Sequence, residues 1–136
     1  MIRAIVRDVL FLGRKTETAE KSDLHIGDDL KDTLESCRDR CIGMAANMIG
    51  ENKSVIIVAS GFGDIIMYNP VITRRSLPYE TEEGCLSLDG VRKTVRYQNI
   101  EVEYRDREWK RQRMKCSGIT AQTVQHEIDH LNGVLI

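Results

Sequence analysis

No apolar run in the chain approaches the ~20 residues of a membrane span. The opening Met1-Ile2-Arg3-Ala4-Ile5-Val6-Arg7 lacks the long apolar stretch of a signal peptide. The cytoplasm is therefore the expected location, with no membrane partner. An excess of one charge is missing too: 20 Lys and Arg face 21 Asp and Glu, for a net charge of -1. No global attraction to DNA or anionic lipid follows. Aromatics make up only 5% of residues, and no stacking series accompanies the basic stretch from Arg105 to Lys115. Acidic residues also interrupt that stretch, so it reads as a solvated hairpin and not as a landing patch on RNA. Internal repeats, low-complexity tracts and linkers are absent, and 136 residues suit one domain, 1–136, able to bury a core without staples. Without an export signal, Cys37, Cys41 and Cys116 read as reduced thiols, which leaves Cys85 as the cysteine with a chemical context.

What is present is concentrated near the end of the chain. His126-Glu127-Ile128-Asp129-His130 places two imidazoles four residues apart, on one helical face, where they can share a metal ion. Glu127, on the same turn, is positioned to take a proton from water activated by that metal, so the pattern reads as a hydrolytic site. Only Leu131-Asn132-Gly133-Val134-Leu135-Ile136 follows, with no ligating side chain, so a third ligand must come from upstream. His25 and the four cysteines are the candidates. Cys85 is best placed, because Gly84 beside it lets the backbone come close to the metal. Cys85, His126 and His130 would leave one position open for water or substrate. Asp129 is a candidate acceptor for a histidine N–H.

Apolar positions Leu24, Ile26, Leu30, Leu34 and Cys37 predict an amphipathic first helix, although Gly27 blurs its start. The β-branched run Ser54 to Ala59 predicts a buried strand. Gly61 to Asp64 predicts a turn into Ile65-Ile66-Met67-Tyr68, which Asn69-Pro70 is expected to end. Further strands are predicted at Val71 to Arg75, Lys93 to Tyr97, Ile100 to Tyr104 and Trp109 to Lys115, the last two pairing across Arg105 to Glu108. A helix opened at Ser117 or Gly118 should carry the histidines and stop at Asn132-Gly133. The expected fold class is α+β: mostly antiparallel sheets around a central C-terminal helix, plus an N-terminal helix.

Three segments in order resemble the peptide deformylases: Cys41-Ile42-Gly43-Met44-Ala45-Ala46-Asn47-Met48-Ile49-Gly50, then Glu83-Gly84-Cys85-Leu86-Ser87, then Gln125 to Gly133. Met67-Tyr68-Asn69-Pro70 is similar to a strand of that family. The resemblance implies removal of the N-formyl group from the N-terminal methionine of nascent polypeptides, with release of formate. It implies a divalent ion on Cys85, His126 and His130, natively Fe2+ with Zn2+, Ni2+ or Co2+ as substitutes, and Glu127 as general base and later proton donor. By the same resemblance the Leu86 N–H faces the oxyanion. Ile42, Gly43 and Gly84 line the substrate channel, and Arg92 stands near the substrate. Formyl-methionyl peptides and a transient ribosome contact are the implied partners.

Two positions depart from the family pattern: Cys41 replaces its first glycine and Met48 its glutamine. Methionine cannot donate the hydrogen bond that the glutamine amide would offer an oxyanion. Asn47 is a poor substitute, since neighbouring residues point in different directions. Gln122 and Thr123 lie on the helix face expected to border the pocket. Met48 keeps alternatives open: action on another formyl or acyl amide, or binding of peptide N-termini with little turnover.

Overall fold

A computed structural model describes residues 1–136. Five antiparallel strands form one sheet in the order β1-β2-β3-β4-β5: Gly43–Ala45, Val55–Ser60, Gly63–Cys85, Leu88–Arg105 and Arg111–Ser117. Three helices complete the α+β architecture: a short α1, Val9–Leu12, then α2, Leu24–Ser36, and α3, Gly118–Leu131. Val55 to Val58 are all fully buried. Because successive residues of a strand point to opposite faces, both faces of β2 must be covered. Helices α2 and α3 both pack against β2 and supply that cover.

Helix α2 presents Ile26, Leu30 and Leu34 to the core, one residue per turn. Gly27 sits inside the helix and not at its start, and its reason is steric. A Cβ at Gly27 would stand 2.1 Å from the Tyr68 hydroxyl, which is buried and donates to the Leu24 carbonyl at 2.7 Å. Gly27→Ala is therefore expected to cost about 1–3 kcal/mol of stability through overpacking. Urea unfolding of both proteins checks this, and an unchanged midpoint would refute the packing argument.

The expectation that Asn69-Pro70 ends a strand is corrected by the fold. Strand β3 runs through both residues, with a register irregularity between Tyr68 and Val71. Asn69 takes a positive φ of 54°, and its side chain exchanges two hydrogen bonds with the backbone of Ala19, at 2.8 and 2.9 Å. Those bonds offset the strain, so the ladder bends and continues. Similarly, Lys93–Tyr97 and Ile100–Tyr104 are parts of one strand, β4, while Trp109 lies in the turn before β5 and stacks, tilted, 5.6 Å from Tyr68. The β3–β4 ladder ends at the pair Cys85 and Leu88. That end carries Cys85 to α3.

Candidate active site

Helix α3 begins after Ser117 and is held to β4 by Gln125. Its side-chain amide accepts from the Tyr97 N–H at 2.8 Å and donates to the Tyr97 carbonyl at 2.9 Å, mimicking a strand neighbour. This anchors the turn that bears His126, Glu127 and His130, all buried. The ligand atoms of Cys85, His126 and His130 lie within 4.8 Å of one another. His25, another candidate, is exposed on α2 beside the Ser22 carbonyl.

The orientation of His126 follows from Glu83. The carboxylate of Glu83 lies 2.8 Å from Nδ1 of His126 and also accepts from Arg96, at 2.7 to 3.1 Å, and from Gln122 at 2.8 Å. Burial alone would raise the Glu83 carboxyl, but donors from His126, Arg96 and Gln122 outweigh it and hold it down to about 2. An ionised carboxylate only accepts, so Nδ1 of His126 carries a proton, and Nε2 is the nitrogen left to bind a metal once its own proton is displaced. That Nε2 lies 3.1 Å from Nε2 of His130. Burial opposes protonation of His126, yet Cys85 and Glu83 raise it, while burial and the neighbouring His126 lower His130. Two nitrogens this close cannot both be protonated. One thiol sulfur and two convergent imidazole nitrogens are a donor set suited to one divalent transition-metal ion.

Asp129 does not accept from a histidine, as the sequence reading had it. It takes the second arm of the buried Arg96, at 2.6 Å. The acceptor for His126 is Glu83, on the motif's own strand, and Arg96 links the two carboxylates. Nothing in the spacing of Arg96 marks it for this position, because it reaches Glu83 diagonally across the hairpin, where its ladder partner is Tyr79.

Glu127 is buried, its Oε1 has no hydrogen-bond partner, and burial pushes its carboxyl up to about 7. It lines a cavity of about 620 Å³ together with Cys85, Leu86, His126, Cys41, Ile42, Gly43 and Met48. This volume falls in the ~300–1,000 Å³ range of small-ligand pockets. A Cβ on Gly43 would stand 2.5 Å from Cγ2 of Thr123 and 3.0 Å from Oε2 of Glu127, so glycine is required for that approach. Gly84 also lines the cavity, but a Cβ there would meet only ordinary contacts, the nearest at 3.5 Å.

Arg92 does not line this cavity; its guanidinium donates to the Asp89 carbonyl at 3.2 Å. Arg7 and Arg40 do line it, and no sequence pattern had singled them out. Gln122 and Thr123 border it, with the Gln122 amide donating to Glu83 and the Thr123 hydroxyl to the Ile119 carbonyl. Asn47 points away, donating to the His130 carbonyl at 2.7 Å. The Cys41 thiol donates to the Gly43 carbonyl at 2.6 Å, and burial pushes it up to about 12. Met48 is buried, with its sulfur 3.4 Å from the Ala45 N–H.

Among known proteins, residues 8–136 match the family model described as polypeptide deformylase. The chain is 50% identical over 136 residues to the peptide deformylase of Clostridium beijerinckii, with both chains covered in full. It is similar to the Met-Ala-Ser-bound class I type b peptide deformylase of Acinetobacter baumannii, with a TM-score of 0.89 and 26% identity, covering 99% of this chain and 97% of that one. The peptide deformylase of Legionella pneumophila gives a TM-score of 0.89 at 31% identity, covering 99% of this chain and 83% of that one.

Proposed function

The chain belongs to the peptide deformylase family, and we propose that Cys85, His126 and His130 hold its divalent ion while Glu127 moves the protons. It is an enzyme that removes the N-formyl group from nascent polypeptides and releases formate. The observation that carries the assignment of roles is the meeting of the Cys85, His126 and His130 ligand atoms beside a buried carboxyl with a free oxygen.

When bound, the ion acts as a Lewis acid toward the formyl carbonyl and lowers the pKa of water from 15.7 to about 7. The chain's residues do the rest. Glu127 is held near neutrality by burial, so it can accept a proton from water and return it to the departing amine. Glu83 keeps the Nε2 lone pair of His126 directed at the ion, and Arg96 keeps Glu83 ionised. The Leu86 N–H donates to the oxyanion. Strand β1 lies at the edge of the sheet. The peptide pairs with that edge beside Ile42 and Gly43, adding a strand. The relative from A. baumannii binds Met-Ala-Ser, which supports formyl-methionyl peptides as substrates here.

Fe2+ is the native ion in this reading, with Zn2+, Ni2+ or Co2+ as substitutes. No helix is long and apolar enough to cross a membrane. The enzyme works in the cytoplasm, where access to nascent chains calls for a transient ribosome contact. Formate release from formyl-Met-Ala-Ser, by protein loaded with Fe2+ without oxygen and in parallel with Ni2+, tests the reading. Both forms should turn over, and the iron form should lose activity faster in air, since thiolate-bound ferrous iron invites oxidation of both metal and sulfur. Absence of formate would refute the activity, and equal lifetimes would refute iron.

A further inference from the structure

The N-terminal segment touches both sides of the cavity within two consecutive residues. The Val6 N–H donates to the Met48 carbonyl at 2.7 Å. Arg7, next along, donates from Nη1 to the Leu86 carbonyl at 2.9 Å and from Nη2 to the Asp89 carboxylate. Arg7 itself lines the cavity. These contacts bring residue 7 to partners 79 and 82 positions away.

The turn that Arg7 grips closes on the ladder pair Cys85 and Leu88, and its side-chain and N–H bonds are few. Leu86 and Ser87 join β3 to β4. The hydroxyl of Ser87 has no partner, and its N–H makes only a long contact of 3.5 Å to the Cys85 sulfur. The Leu86 carbonyl and N–H flank one Cα, so a bond that pins the carbonyl restricts the swing of the N–H.

We propose that Val6 and Arg7 form a clasp across the cavity, in which Arg7 is a positioning residue that sets the direction of the Leu86 N–H. The ion pair with Asp89 is too exposed to act as a stability device, with side-chain exposures of 53% and 96%. Its use is to orient the guanidinium so that the second arm meets the carbonyl. The clasp rests on the deformylase reading, because its effect is felt only where Leu86 meets a developing oxyanion.

The parent protein is assayed first on formyl-Met-Ala-Ser with bound metal measured, which tests the deformylase reading separately. Against that baseline Arg7→Ala is expected to bind a full complement of metal, keep its melting temperature and KM, and lose about tenfold in kcat, less than the ~10²-fold that a 1 Å misplacement can cost. Arg7→Lys keeps one donor and should fall between the two. A kcat within about twofold of the parent in Arg7→Ala overturns the clasp; so does a change confined to KM, which would make Arg7 a substrate contact. Failure of the alanine variant to fold, or a lysine variant no faster than alanine, overturns it as well.

Discussion

Glu127→Gln is expected to hold one divalent ion per chain and to release formate about 10²–10⁴-fold more slowly than the parent, the usual contribution of a general acid–base group. The substitution preserves shape, and the ligand atoms of Cys85, His126 and His130 are untouched. What it removes is a carboxyl that burial poises at about 7, with one oxygen unpartnered. An amide has no basic lone pair to accept the proton and none to return. Cys85→Ala is the counterpart: it should lose the ion outright, because two imidazoles alone leave the donor set incomplete. Metal analysis and formate release on both variants separate the roles. Turnover within a few-fold of the parent in Glu127→Gln would exclude it as the base, and full metal occupancy in Cys85→Ala would exclude the sulfur as a ligand.

Local features of the sequence made part of this site legible. The four-residue spacing of His126 and His130 and the stop at Asn132-Gly133 predict α3, which ends at Leu131. The β-branched run at 55–58 predicts a buried strand, and β2 is one. Where the determinant is long-range, the reading fails. Asn69-Pro70 has the look of a chain break, but its strain is offset by the Ala19 backbone, fifty residues away in sequence. Asp129 is beside His130 in sequence, yet Arg96 captures it, and Glu83 reaches His126 from strand β3. Arg7 has no motif at all, since its partners lie across the whole chain. His126, Glu127 and His130 are marked by their spacing within one helix, whereas Glu83, Arg96 and Arg7 are brought to their partners by strand register and packing.

Met48 offers the other large effect. It lines the cavity beside Glu127 and Cys85, at the position where the family pattern has a glutamine. Loss of one oxyanion donor typically costs about 10²–10³ in turnover, or roughly 2.7–4 kcal/mol. On the proposed assignment the Leu86 N–H and the ion would supply the remaining stabilisation, so the parent should be active but slow. Gln and Met share length and an unbranched stem, which limits the strain of exchange in this buried position. The Ala45 N–H, now 3.4 Å from the Met48 sulfur, is placed to donate to the new amide oxygen. That would leave the amide NH2 free for the cavity. Met48→Gln is therefore expected to raise kcat by about 10-fold or more, up to the ~10²–10³ that such a donor supplies elsewhere. KM should change little, because the restored bond forms as charge develops and not in the ground state. Kinetics on formyl-Met-Ala-Ser at matched metal content decide the matter. An unchanged or lower kcat would mean that this chain stabilises its oxyanion without a side-chain donor at position 48, and that the shape of the methionine, not its missing amide, is what the cavity uses.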